Sequence, residues 1–158
     1  YTLALGSSAY NHGVDHVNMP INDKLFVVQS EIIKELAAGN ESAVIVGRCA
    51  DYVLSGYQNV VKIFVCADFD KRMETVSERH ALTPAQSKDL IVKTDKRRAS
   101  YYEYYSSRKW GAVDSYHFCL DSSYLGLGGT VELIRAMVEH KEHPVPSPTE
   151  IDPTRPNG

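Results

Sequence analysis

The chain has 158 residues, 43% of them hydrophobic and 23% charged, with a formal net charge of -3, which suits one domain with a real core rather than two. That mild acidity argues against a general nucleic-acid or anionic-membrane binder and leaves only a local basic stripe as an anion site. No apolar run approaches the roughly 20 residues that span a bilayer and no signal peptide is visible, and three cysteines without a short pairing predict a reducing, cytoplasmic setting and no metal site.

The first residues, "YTLALGSS", include no initiator methionine, so the expectation is a processed product or an excerpt with sequence upstream. Residues 1–22 have weak periodicity and many loop formers and read as an arm. From Asn22 the pattern turns helical, with Leu25, Val28, Ile32 and Leu36 at helical spacing, Asn22 or Asp23 as cap and Gly39 as terminator. Three continuously apolar runs follow: "AVIVG" at 43–47, "VVKIFVC" at 60–66 and "YHFCL" at 116–120. Such runs predict strands buried on both faces, as in a parallel sheet covered by helices.

Between them, Asp68 can cap a helix carrying Phe69, Met73 and Val76. Thr83-Pro84-Ala85-Gln86 spells a capping box with proline at the first helical position. That helix can run on through Leu90 and Ile91 into "DKRRASYYEYYSSRKWG", residues 95–111. Thr130 can cap a last helix with Val131, Ile134 and Val138 on one face. Residues 141–158 hold five of the seven prolines and predict an extended or disordered tail. The whole reads as an α/β domain over 23–140, a three-layer sandwich around a parallel sheet.

In open parallel sheets ligands bind beyond the carboxyl ends of the strands. Those ends here are "GRCAD" (47–51), "ADFDKR" (67–72) and "DSS" (121–123). Each apolar run gives way at once to charge or hydroxyl, and two ends carry arginine, which points to a polyanion crevice. Arg48 offers a planar fork for phosphate or a base edge, and Gly47 lets backbone come close. The segment 95–111 holds four of ten tyrosines and five of seventeen basic residues. At about 100° per residue its tyrosines span roughly 160° of a helix, with Arg97 and Arg98 inside that arc. The face suits the wall of a phosphate site, or else the rings pack on the sheet while the arginines reach outward.

Other residues carry less. His12 and His16 sit four apart without a third ligand. His80 and His117 read as surface and sheet residues. Trp110 can stack a base or plug the segment against the domain. Ser122 and Ser123 follow a strand but lack the Gly-x-Ser-x-Gly elbow of hydrolases.

Together "SAVIVGRCADYVL", "VVKIFVCADFDKRMETVSER", "KTDKRRASYYEYYSSRKWG" and "YHFCLDSSYLG" resemble the cytidylate kinase-like family of P-loop phosphotransferases, over about residues 20–140. The resemblance implies a parallel sheet with helices on both sides, a mobile lid around 95–115, and transfer of the γ-phosphoryl of ATP, as its Mg²⁺ complex, to a nucleoside monophosphate such as CMP. It places Gly47, Arg48 and Asp51 at the acceptor. Arg72 joins them with a role that is either contact or structural. Arg98, with Asp95 ahead of it and Arg97 beside it, becomes the catalytic lid group, and Asp121 and Ser122 border the nucleotide site. A homodimer is among the partners left open.

One departure is large. The family begins with a strand, a glycine-rich phosphate loop and a helix, and no G-x-x-x-x-G-K-[ST] occurs in this sequence. The "GLGG" at 126–129 leads into a helix but lacks the basic residue. The expectation is a loop encoded upstream and a hole at the centre of the sheet. Two rivals to the enzyme remain: a kinase-derived domain that binds nucleotide or scaffolds without turnover, and single-stranded nucleic-acid binding on the tyrosine-arginine face.

Overall fold

The computed structural model describes residues 19–39 and 41–142; residues 1–18 of the arm, with His12 and His16, and the proline-rich tail from 143 lie outside the described residues. Helix α1, Ile21–Ala38, begins just after Pro20. The Pro20 carbonyl accepts from the Asp23 and Lys24 amides at 3.0 and 3.1 Å. Asn22 and Asp23 therefore sit inside the first turn rather than capping it. Gly39 does end the helix, its N–H donating to Glu35 and Leu36 carbonyls. The buried stripe is rotated from the predicted one: Leu25 and Leu36 are about half exposed, whereas Ile33 is 5% exposed. Phe26, stacked on Tyr105 at 4.0 Å between ring centroids, draws that side of the helix inward.

The predicted strand at 43–47 does not form. Residues 42–46 make no ladder, and Val44 and Val46 are 95% and 86% exposed. A strand exists only by pairing, and no neighbour lies beside this segment among the described residues. A short helix α2, Ala50–Val53, follows. The other two runs do pair. Strand β1, Ile63–Cys66, lies parallel to β2, Phe118–Asp121, in the register Ile63↔Phe118 to Cys66↔Asp121. Parallel neighbours need a long crossover, here α3, Phe69–His80, and α4, Pro84–Ser106. The architecture is thus mixed α/β, mostly helical, around a small two-stranded parallel sheet. The third strand of the expected sandwich is absent from the described residues.

The capping box at the start of α4 forms as the sequence predicts. The Thr83 hydroxyl accepts from the Gln86 amide, and the Gln86 side chain accepts from the Thr83 amide at 2.9 Å. At α3 the prediction holds in position only: Asp68 precedes the helix, but its carboxylate caps nothing. Instead its amide donates to Ser123 Oγ at 2.6 Å.

Helix α5, Ser122–Glu142, is broken at Gly126, whose φ of 66° and ψ of 176° no helix accommodates. Thr130, the predicted cap, is buried, and its Oγ1 donates to the Gly126 carbonyl at 2.7 Å. Trp110 meets the edge of Phe64 at 5.7 Å and Tyr116 lies 5.1 Å from the same ring. Gly111, at φ 75°, packs so close that a Cβ would stand 3.0 Å from Phe64. Trp110 is therefore a plug on the sheet. Cys49 is buried, but Cys66 and Cys119 are exposed, contrary to strands covered on both faces. Among the described residues no helix is long and apolar enough to cross a membrane.

Candidate functional site

The turn after residues 42–46 has unusual backbone. Gly47, Arg48 and Cys49 all have positive φ, at 72°, 58° and 55°. The Ala50 amide closes the turn on the Gly47 carbonyl at 3.1 Å. Glycine takes this left-handed region freely, but arginine and cysteine are held there at a cost of about 1–2 kcal/mol each. Such strain persists only where surrounding contacts over-determine it. Cys49 supplies one anchor, being 4% exposed. Burial, with Asp51 adding, pushes its thiol up to about 11, so it stays protonated and packs as a small apolar group. The turn leaves Arg48 exposed.

Asp51, in the first turn of α2, supplies the second anchor. Tyr102 of α4 is 4% exposed, and its hydroxyl donates to Asp51 Oδ2 at 2.6 Å. Burial pushes the Tyr102 phenol up, reinforced by that bond. Tyr116 beside it is also raised, first by burial and then by Asp51. Both phenols therefore remain neutral donors at physiological pH. Arg108, from the loop after α4, lies 5.4 Å over the Tyr52 ring.

Helix α4 thereby packs its tyrosines on α1 and α2 rather than on the sheet. Tyr105 stacks on Phe26, and its hydroxyl donates to Asp23 Oδ1 at 2.8 Å. Tyr104 stays 70% exposed. Tyr101, also on α4, meets Phe26 edge-on at 6.5 Å. Burial raises its phenol and nearby Cys49 adds to that, while the guanidinium of Arg48 pulls it down.

At about 100° per residue Arg97 stands one turn before Tyr101 and close in azimuth to exposed Tyr104, while Arg98 lies on the side of Tyr102 and Tyr105. Among the described residues Arg48, Arg97 and Arg98 enter no ion pair.

One turn earlier still, Asp95 holds Arg72 of α3. Arg72 Nη2 donates to both carboxylate oxygens at 2.7 Å, with the two side chains 32% and 27% exposed. At the strand ends, Ser122 Oγ donates to the Cys66 carbonyl at 2.9 Å, and Asp121 Oδ1 accepts the Ser123 amide at 2.8 Å. Beside Asp121 lies a cavity of about 320 Å³ walled by Leu120, Tyr124, Leu125, Thr130 and Leu133.

The predicted residues thus fall into three groups. Gly47, Arg48 and Asp51 share one turn against α4. Asp95 and Arg72 bind each other, and Asp121 and Ser122 sit at the strand rim. Contacts join the last two, since the Asp68 amide before α3 donates to Ser123 and Arg72 of α3 holds Asp95, while Tyr102, on the same helix as Asp95, holds Asp51. Sequence reasoning missed Tyr102 as the partner of Asp51 and Asp23 as the partner of Tyr105. A buried phenol at the mid-face of a tyrosine-rich helix was the available signal; the partners, 51 and 82 residues away, leave none.

Among the described residues no group of three or more His, Cys, Asp or Glu side chains could hold a metal ion.

No curated protein matches the chain significantly. Among solved structures it is similar to the crystal structure of an uncharacterized protein from Eubacterium ventriosum ATCC 27560. The two share 28% identity at a TM-score of 0.72, over 78% of this chain and 69% of that one. The model of the cytidylate kinase-like family matches residues 1–124. A match of that extent, on a chain whose Gly-Arg turn and basic tyrosine helix adjoin, assigns this protein to the cytidylate kinase-like family.

Proposed function

We propose that the protein is a phosphotransferase that moves the γ-phosphoryl of ATP, supplied as its Mg²⁺ complex, to CMP or a similar nucleoside monophosphate. The observation that carries this reading is the hydrogen bond from the Tyr102 hydroxyl to Asp51 at 2.6 Å, which ties the turn holding Arg48 to the helix that carries Arg98. Both arginines are exposed, which supports a reading in which they serve one bound ligand. Phosphoryl transfer asks little covalent chemistry of a protein; it asks for positioning and for cations around the transferring group.

In this reading Gly47 and Arg48 hold the acceptor, and Asp51 sets the turn. Arg98 neutralises charge on the moving phosphoryl, assisted by Arg97. Asp95 braces Arg72, whose remaining N–H groups can face phosphate. Asp121 and Ser122 border the donor, whose base the neighbouring apolar cavity can take. The part of α4 from Asp95 onward, with the loop to 115, acts as the lid.

The fold completes itself as a three-layer P-loop sandwich when a further strand lies between residues 42–46 and the open edge of β1. The exposure of Val44, Val46 and Val65 supports that placement. A second reading, nucleotide binding without turnover, is favoured by the lack of G-x-x-x-x-G-K-[ST] in these 158 residues. A coupled assay of the full-length protein with ATP, Mg²⁺ and CMP, dCMP, UMP or AMP separates the two. ADP release that depends on one monophosphate is expected. Mononucleotide binding without ADP release would establish the second reading.

A further inference from the structure

We propose that Tyr102 is a positioning residue: through Asp51 it holds the left-handed Gly47–Cys49 turn, so that Arg48 is presented only while α4 lies against α2. This rests on the acceptor role of Arg48 given above. The turn cannot hold itself. It contains two non-glycine residues at φ 58° and 55°, and the helix that follows has four residues, too few for stability of its own. Its backbone bonds are local, from Ala50, Tyr52, Val53 and Leu54 to carbonyls three or four residues back.

Among the described residues, the Tyr102 hydroxyl on Asp51 Oδ2 makes the only hydrogen bond from residues 47–54 to another element. Buried Cys49 and Leu54 and the packing of α1 on α2 give the segment apolar support, but its polar ties come from the α4 side, where Arg108 also lies over Tyr52. The clamp is itself fixed from behind. Ser106 Oγ donates to the Tyr102 carbonyl, and Tyr102 itself is buried. Because α4 also carries Arg98, one hydrogen bond couples the acceptor turn to the basic helix. Coupling of this kind is reciprocal: an acceptor that steadies the turn steadies the helix by the same factor.

Tyr102→Phe in the full-length protein removes one oxygen and keeps the ring. Two readouts are taken: calorimetric titration of CMP, and hydrogen–deuterium exchange of the nucleotide-free protein. CMP should bind about tenfold more weakly, the usual consequence of losing a hydrogen bond to a charged group. Exchange should quicken over residues 47–54 and stay unchanged in α3. Asp51→Ala, which leaves the Tyr102 hydroxyl no acceptor there, should reproduce both effects, and the double variant should add nothing to either single one.

Unchanged exchange at 47–54 in Tyr102→Phe overturns the proposal, as does exchange that quickens throughout the molecule. Full additivity of the two substitutions in CMP affinity overturns it as well. If the wild-type protein binds no mononucleotide, the acceptor reading fails on its own, and the exchange data still decide whether the clamp exists.

Discussion

Arg48 owes its place to backbone that its side chain does not favour, and that makes it a sharp test. Arg48→Ala should weaken CMP binding by about ten- to a hundredfold, the range for charge-assisted hydrogen bonds, with the thermal midpoint little changed. Arg48→Lys should recover only part of the loss, because a point charge cannot replace a planar fork; calorimetry on the folded variants checks both.

A second residue sets a pH dependence. His117 Nδ1 accepts the Lys62 amide at 3.0 Å. Burial first, then Lys62 and Lys141, lower its pKa below the ordinary range. The unfolded chain therefore takes up a proton that the folded protein resists. Stability is full above about pH 6.5 and falls as the pH drops through and below it. Thermal midpoints measured from about pH 7.5 to about pH 5.5 should decline, and His117→Asn should flatten that decline. At this scale much of the site was legible. Gly47 and Arg48 stand out because a buried-looking run ends in them. Tyr102 does not, because one tyrosine among four on a helix is singled out only by the packing of α1 and α2.

Among elements, the α3–α4 pair is tied by Arg72 and Asp95, both under a third exposed. Arg72→Met should lower unfolding free energy by about 1 kcal/mol, above a typical surface pair because the geometry is bidentate at the carboxylate and partly desolvated. Chemical denaturation measures this. A loss of nucleotide affinity larger than that destabilisation would show that Arg72 also touches phosphate. Some elements defined by local chemistry were read correctly, although the caps expected from Asn22 or Asp23 and from Asp68 do not form. The Thr83-Pro84-Gln86 box fixes the start of α4 through bonds made within four residues, and Gly39 ends α1. Elements defined by distant partners were not. The stripe of α1 turned toward Tyr105, Thr130 went inward beneath the break at Gly126, and 43–47 stayed unpaired because pairing is a property of two segments.

For the whole molecule, apolar residues on 42–46, β1 and the kinked start of α5 face outward, with Leu127 80% exposed. Such surface is expensive in water, and its position between two segments of strand-like sequence is what a further strand would cover. Under the proposed completion of the fold, the hydropathy of the three runs would record a sheet larger than the two-stranded one these residues form. Fold class and the side of the sheet that carries charge could be taken from those runs and their polar ends. The number of paired strands could not, since continuous apolar sequence reports burial on two faces but not which segment provides the cover.

The most direct test of a polyphosphate shared between the acceptor turn and α4 is calorimetric titration of one bridged ligand, cytidine and adenosine joined by five phosphates. It is titrated into the full-length wild type, Arg48→Ala, Arg98→Ala and the double variant. One ligand per chain, bound more tightly than CMP and weakened at least about tenfold by each single substitution, is the predicted result. Binding that neither substitution alters would contradict it.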